Sequence, residues 1–520
     1  MKERNALLRA GCVIAALLLL ACLLSGCGAE KAGITSIEQL GEAGRRIGVN
    51  DDTDDDKLVA QRFPGASIVH YRDAIAAYTA VKQGRLDAFV YAELMMETAI
   101  RNGMEGVRIL DETLGESYTM AVGVSPKAGI PGLKEKIDGF LGEIQADGTL
   151  DEMRARWLVR REQTMPEIEA AENPGLHLVV GTSGTSEPFT FYVGNELRGF
   201  DIELAERFAA WLGASVEFKI YDYGGIVAAA QSGDIDCIFA ALFVTPEREE
   251  ALLFSEPTYV EKIAVMVRGS AEAPDASGQG GEGFLSGLLA SFEKTFIREN
   301  RWKMFLEGVG TTLLIAALSI ALGTLLGFGV FLLCRRGSPV ANTITRFFVW
   351  LVQGMPVVVL LMILYYIVFG GFDVSGTAVS VVGFTLIFGA AVYEMVRAGV
   401  ATVDRGQTEA AYALGYTGRR ALFRVVLPQA LPHIMPAYRA QITALIKATA
   451  VVGYVAVEDL TKMGDIVRSR TYDAFFPLIA VAVVYFILAA VLTFLVNRIE
   501  PRFDPRRRSQ GEILRGVDTE

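Results

Sequence analysis

Histidine, cysteine and charge are all scarce in this chain. Three His and five Cys (Cys12, Cys22, Cys27, Cys237 and Cys334) stand among 520 residues. Neither zinc-ligand spacing nor a disulfide framework can be drawn from them, and no metal or cofactor is expected. Charged residues make up 21% and the net charge is −11. That balance excludes a nucleic-acid partner, which would call for a basic surface. No Gly-Lys-Ser or Gly-Lys-Thr occurs anywhere, so the phosphate-cradling loop of an ATPase is missing. Gly278-x-Gly280-x-x-Gly283 matches a dinucleotide fingerprint in letters only, since no strand pattern precedes it. What abounds is apolar: hydrophobic residues reach 52%, and part of the chain is expected to lie in lipid.

Lys2, Arg4 and Arg9 precede the apolar run Val13–Leu24. That run is too short to span about 30 Å of hydrocarbon comfortably and reads as a signal segment. It closes with Leu24-Ser25-Gly26-Cys27, which resembles the bacterial lipobox. The resemblance implies that Cys27 is lipidated and held in membrane lipid; an uncleaved anchor is the alternative. Residues 1–27 are assigned to this segment, and the residues directly after it are expected to be exported.

Residues 28–165 alternate short apolar runs (Arg46–Val49, Ser67–Tyr71, Ala88–Tyr91, Thr119–Val124) with helical stretches, the rhythm of α/β crossover units. Residues 174–268 repeat it, from Leu178–Thr182 to Ile263–Val267. The second segment also carries a specific text. Val180-Gly181-Thr182-Ser183, Pro188-Phe189, Gly199-Phe200-Asp201-Ile202, Gly233-Asp234-Ile235-Asp236, Thr245-Pro246-Glu247-Arg248 and Phe254-Ser255-Glu256-Pro257 occur in that order. It resembles the first lobe of the periplasmic amino-acid-binding proteins, solute-binding family 3. The first segment resembles the second lobe and C-terminal return of that family, through Arg46-Ile47-Gly48-Val49, Arg85-Leu86-Asp87-Ala88 and Asp147-Gly148-Thr149-Leu150 up to Trp157. The halves thus stand in reversed order, and the resemblance implies one two-lobed α/β domain of type II, circularly permuted. Two separate half-domains would each expose an apolar face.

The same resemblance places Arg248 on a ligand carboxylate, by a bidentate charge-assisted contact, and Tyr223 beside the ligand side chain. Ser183, Ser186, Ala241 and Phe243 fall on further first-lobe positions, and Thr53, Asp54 and Glu93 on second-lobe ones. Several depart from the family pattern. The small hydroxyl positions are Ala240, Ala241 and Phe243, the aromatic expected before Pro-Phe is Ser186, and the acid expected for the ligand ammonium aligns with Ala92, with Glu93 next to it. The turn that normally offers N–H groups is Asp51-Asp52-Thr53-Asp54-Asp55-Asp56. Its carboxylates would repel an anion; they either favour a cationic ligand or form a solvated loop.

Residues 269–300 read as a linker, Gly/Ser/Ala/Pro-rich up to 283. Residues 301–500 hold uncharged runs at 308–334, 347–372, 374–393 and 474–497, with a fifth span near 430–456 carrying Arg439 and Lys447. Arg335, Arg336, Arg405, Arg419, Arg420, Arg424 and Arg498 come after alternate spans, so those ends and the 501–520 tail are expected in the cytoplasm of a bacterial cell. The binding domain and the 458–473 loop then lie outside. Gly406-Gln407-Thr408-Glu409-Ala410-Ala411, Gly415, Val425, Leu427 and Pro428 resemble the cytoplasmic Glu-Ala-Ala loop of ATP-binding-cassette (ABC) importer permeases. Gln353-Gly354-Met355-Pro356 and Tyr393-Glu394-x-x-Arg397-Ala398-Gly399 point to the polar-amino-acid branch. That resemblance implies an all-α permease domain whose Glu409, Ala410, Ala411 and Gly415 dock on a separate ATPase subunit. It also implies pairing with a second permease copy, a homodimer. A ligand-binding membrane sensor and an enzyme on the same fold are the rival classes. The Glu-Ala-Ala loop is unexplained by the first, and the second lacks a clustered acid/base set.

Overall fold

The computed structural model describes residues 33–499 apart from 52, 54, 172–173, 270–281, 336, 338, 371, 373 and 474. The signal segment with Cys27, Asp54 and the 501–520 tail lie outside the described residues. Twelve strands are described: β1 (Arg46–Asn50), β2 (Ser67–Tyr71), β3 (Ala88–Ala92), β4 (Val107–Ile109), β5 (Ser117–Val124), β6 (Leu176–Thr182), β7 (Thr185–Ser186), β8 (Thr190–Val193), β9 (Glu196–Arg198), β10 (Ala214–Ile220), β11 (Cys237–Ile238) and β12 (Leu253–Arg268).

Each segment builds three parallel strands and borrows an antiparallel one. β1 lies between β2 and β3, and the last residues of β12, Ile263–Val267, run antiparallel to β3. β6 lies between β10 and β11, and β5 enters from the first segment, antiparallel to β11. The 16 residues of β12 cover both lobes, pairing with β5 from Leu253 to Lys262 before they reach β3. In chain order, the order used from here on and the reverse of the family's, the first lobe is therefore residues 33–116 with the end of β12, and the second lobe holds 117–160 and 174–262. The sequence of β3 accounts for its central place: Ala88–Ala92 is apolar throughout and buried at every residue, as a strand covered on both faces requires.

Residues 117–160 are fastened to the second lobe by a buried polar knot. Glu203, fully buried, accepts from Arg156 at 2.7 Å, Arg207 at 2.8 Å and the Trp157 indole at 2.6 Å. Phe140 packs on Phe208 and Trp211 alongside.

In the membrane half, Trp302–Cys334, Gly376–Ala401 and Phe476–Val496 are each long and apolar enough to cross a bilayer. Two further runs are bent rather than straight, so the described residues hold three such helices, or up to five spans if each bent pair counts as one. The run expected at 347–372 breaks into Pro339–Gly354 and Val357–Val368, inclined by 111°. Pro356 lacks a backbone N–H and drives the preceding residue out of the helical region, which ends the first helix there. The expected 458–473 loop is also corrected: Leu460–Thr471 is a helix, bent by 61° from the run that ends at Val455. Ala456, at φ 54°, makes the turn, and the Asp459 carboxylate caps the new helix by accepting from Lys462 N–H at 3.0 Å. The described end of the 269–300 linker is helical as well, from Glu282 to Phe292. Gly327 lets Trp302–Cys334 approach Gly376–Ala401 closely: a Cβ there would stand 2.3 Å from the Gly389 carbonyl oxygen.

Candidate functional site: a cleft closed by three segments

The interlobe cleft encloses a cavity of about 220 Å³. Asn50, Asp73, Tyr78 and Tyr91 line it from the first lobe; Ser186, Glu187, Asp222, Tyr223 and Ala241 line it from the second. The third side is the membrane half, through Lys462, Asp465, Arg468, Ser469 and Tyr472. Tyr223 begins the helix Tyr223–Ser232 and brings its first turn to the cleft. Ala241 is held there by Asp201, whose buried carboxylate accepts its N–H at 2.5 Å. Ala241 itself sits at φ 53°, a left-handed conformation that costs a residue bearing a Cβ about 1 kcal/mol or more. Burial pushes the Asp201 carboxyl up to about 7, the hydrogen bond from Ala241 pulling the other way.

The residues expected at the ligand site divide between two cavities. Tyr223, Ser186 and Ala241 line the cleft. Thr53 and Phe243 line a second cavity of about 290 Å³, with Asp55, Glu116, Tyr118 and Thr245. Between them stands an aromatic partition, in which Phe243 packs on Tyr118 at 4.6 Å and on Tyr91 at 6.1 Å between ring centroids. A small hydroxyl residue at 243 would leave that space open; the phenyl ring fills it. Arg248 donates to the Phe243 carbonyl oxygen at 2.9 Å and lies over the Tyr223 ring at 5.5 Å, lining neither cavity. Ser183 is buried below the surface, its hydroxyl accepting from Thr185 N–H at 3.4 Å. Glu93 starts the Glu93–Arg101 helix, also away from both cavities. In the second cavity Asp55, 1% exposed, accepts from the Thr53 hydroxyl at 2.6 Å and from Tyr118.

Asp222 enters only as the neighbour of Tyr223 in Tyr221-Asp222-Tyr223-Gly224-Gly225, and Asp73 and Glu187, with the cations of Leu460–Thr471, belong to none of the motifs that point to the ligand site. Their signal in the sequence is the alternation of charge and apolar residues in Leu460-Thr-Lys-Met-Gly-Asp-Ile-Val-Arg-Ser-Arg, an amphipathic helix behind an Asp cap.

The second lobe rests on the membrane half through a set of polar bonds. Asp222 N–H donates to the Gly453 carbonyl at 3.1 Å, and Tyr365 donates to Asp234 at 2.7 Å. Tyr366 donates to the carbonyls of Gly225 and Tyr454, at 3.2 and 2.7 Å. Tyr192 donates to Glu458 at 2.8 Å and Asn195 to Glu307 at 2.8 Å.

Residues 319–505 match the family model of the binding-protein-dependent transport system inner membrane component. Over 201 residues, 38% of this chain and 91% of the relative, the sequence is 32% identical to GlnP of Rickettsia typhi, named as a putative permease of a glutamine transport system. The chain belongs to the binding-protein-dependent transport permease family. A second relative of this permease is ArtQ of Bacillus subtilis, an arginine transport system permease protein, 33% identical over 38% of this chain and 90% of that one. A solved amino acid ABC transporter chain is 29% identical, with a TM-score of 0.37 over 42% of this permease and 98% of that chain.

The Glu-Ala-Ala loop of this permease forms a short helix, Arg405–Ala413, capped by the Asp404 carboxylate on Gly406 N–H at 2.6 Å. Ala411 is buried against the body of the protein, while Glu409 and Ala410 face outward. Gly415, at φ 79°, reverses the chain toward the Gly418–Ala421 helix. Tyr412 and Leu414 stand exposed beside it.

Proposed function

We propose that this chain is a fused solute receptor and permease of an ATP-driven importer, with a polar amino acid as its solute. The observation that carries the reading is the seating of a two-lobed α/β domain, cleft inward, on the helices of an importer permease. The names of the relatives, glutamine and arginine permeases, support the solute class. The receptor is a circular permutation of the two-lobed type: strand exchange through β5 and β12 supports a single domain built from both segments. The basic ends at Arg405, Arg419, Arg420 and Arg424 put the Glu-Ala-Ala loop in the cytoplasm and the cleft outside. There the exposed Glu409 and Ala410 meet a separate ATP-binding-cassette subunit, and two permease copies enclose the pathway. Arg248 takes the solute carboxylate once Phe243 releases it, and Tyr223 stacks on the solute. Motion of the lobes on the permease then alternates access. The test is ATPase stimulation: the chain reconstituted with its ATPase in proteoliposomes should hydrolyse ATP faster with one of the twenty amino acids outside. Hydrolysis indifferent to all twenty would favour a sensor instead.

A further inference from the structure

The four acidic side chains that line the cleft cavity are Asp73, Glu187, Asp222 and Asp465. Each is held by a cation of the Leu460–Thr471 helix. Arg468 pairs with Asp73 at 2.6 Å and with Asp465 at 3.1 Å. Lys462 pairs with Asp222 at 3.0 Å and donates to the Tyr221 carbonyl at 2.8 Å. Arg470 pairs with Glu187, which also accepts from Asn102 at 2.9 Å. The cations have left water to do this: the Lys462 and Arg470 side chains are 3% and 6% exposed. A charge so placed is stable only while its counter-charge stays. Asp73 is also the acid of the first lobe in this set, and it caps the Ala74–Lys82 helix by accepting from Ile75 N–H at 3.1 Å.

We infer that the Leu460–Thr471 helix is an intramolecular competitor for the cationic group of the solute. A solute ammonium entering the cleft needs a carboxylate, and in the docked arrangement the carboxylates there already face Arg468, Lys462 or Arg470. Docked, the helix holds the cleft in a low-affinity state; drawn back, it leaves Asp73 and Asp222 to the solute. Return of the helix then expels the solute toward the membrane half, because a guanidinium tethered in the same chain outcompetes a free ammonium by effective concentration. The inference rests on the amino-acid reading above and assigns the membrane half a part in affinity.

Apparent affinity falls in proportion to the fraction of receptor that is competent to bind, so a helix docked about nine-tenths of the time weakens binding about tenfold. The full chain in lipid nanodiscs is titrated with each of the twenty radiolabelled amino acids. For whichever binds, Arg468→Gln should tighten the dissociation constant by about tenfold or more, with Arg468→Lys, which keeps the charge, within about twofold of the parent. Arg470→Gln makes the same test should Arg468→Gln fail to fold. Affinity unchanged or weakened in both Gln variants would overturn the competitor. Failure of parent and variants alike to bind any of the twenty would overturn the amino-acid reading, and the competitor with it.

Discussion

The two lobes of the α/β domain share one architecture and differ in what holds them. The second lobe is tied to the membrane helices by Tyr192, Asn195, Asp222, Gly225 and Asp234, through backbone and side-chain bonds spread over its lower face. The first lobe meets the membrane half across the cleft, where Arg468 reaches Asp73, and meets the second lobe through Asp55–Tyr118, Asn102–Glu187, the Tyr91–Phe243 ring contact and the exposed Lys57–Glu247 pair. The first lobe's tie to the membrane helices is ion pairing at the cleft rather than backbone bonds spread over a face, so it is the lobe expected to swing. Cleft opening is then expected as motion of residues 33–116 against a platform, about the two places where the chain passes between lobes, before β5 and within β12.

The second lobe is weakened most severely at the knot that ties residues 117–160 to it. Glu203→Ala leaves Arg156, Arg207 and the Trp157 indole without their buried acceptor. A loss of about 3–5 kcal/mol is expected, read as a fall in melting temperature with the membrane helices still folded by circular dichroism. Next comes pH. The Asp201 and Glu261 carboxyls are both raised to about 7 by burial. A carboxyl with a raised folded pKa binds its proton more tightly in the native state. Its contribution is therefore full below the unfolded value near 4 and is lost as pH rises toward 7. Stability of the α/β domain should fall by a few kcal/mol between about pH 4 and 7 and level off above. Asp201→Asn keeps an acceptor for Ala241 and should remove roughly half of that slope in pH-dependent melts.

Smaller effects sharpen the contrast between the lobes. Arg248→Ala should cost at least about 2 kcal/mol of solute binding, since a charged group goes unpaired, while the melting temperature holds. Unchanged affinity would take Arg248 out of the site. Tyr366→Phe removes two bonds at the platform and should cost about 1 kcal/mol of docking stability. The same loss of a hydroxyl at Tyr71, on the first lobe, should leave docking as it is. Smallest of all on binding, Glu409→Ala or an enlarged residue at 410 should leave solute affinity within about twofold and abolish ATPase stimulation. Lost affinity with coupling intact would reverse the topology.

Much of the fold is legible in the chain. Ser67–Tyr71 is apolar enough, and flanked closely enough by turn residues, to be bounded correctly from sequence. Arg46–Val49, Ala88–Tyr91 and Thr119–Val124 fall within a residue or two of their strands. The 16 residues of β12 are not legible as one strand, because Pro257 and the shifts of register around it interrupt the alternation. The break at Pro356 is hidden by the apolarity of both halves of the run. In the site, Tyr223, Ser186 and Ala241 come together from their motifs, but motifs carry no information on which rings pack. The Phe243 partition depends on Tyr91 and Tyr118 from the other segment. The Leu460–Thr471 helix is obscured for a different reason: its charges look solvated until a second domain covers them.

If segments in reversed order build one cleft, served by both lobes and closed by the membrane half, the chain has a single solute site. Calorimetric titration of the full chain in nanodiscs, with the amino acid that stabilises it most, tests this directly. One binding event per chain is expected, weakened by Arg248→Ala from the second lobe and by Asp73→Asn from the first. Two events per chain, or a single one indifferent to either substitution, would contradict it.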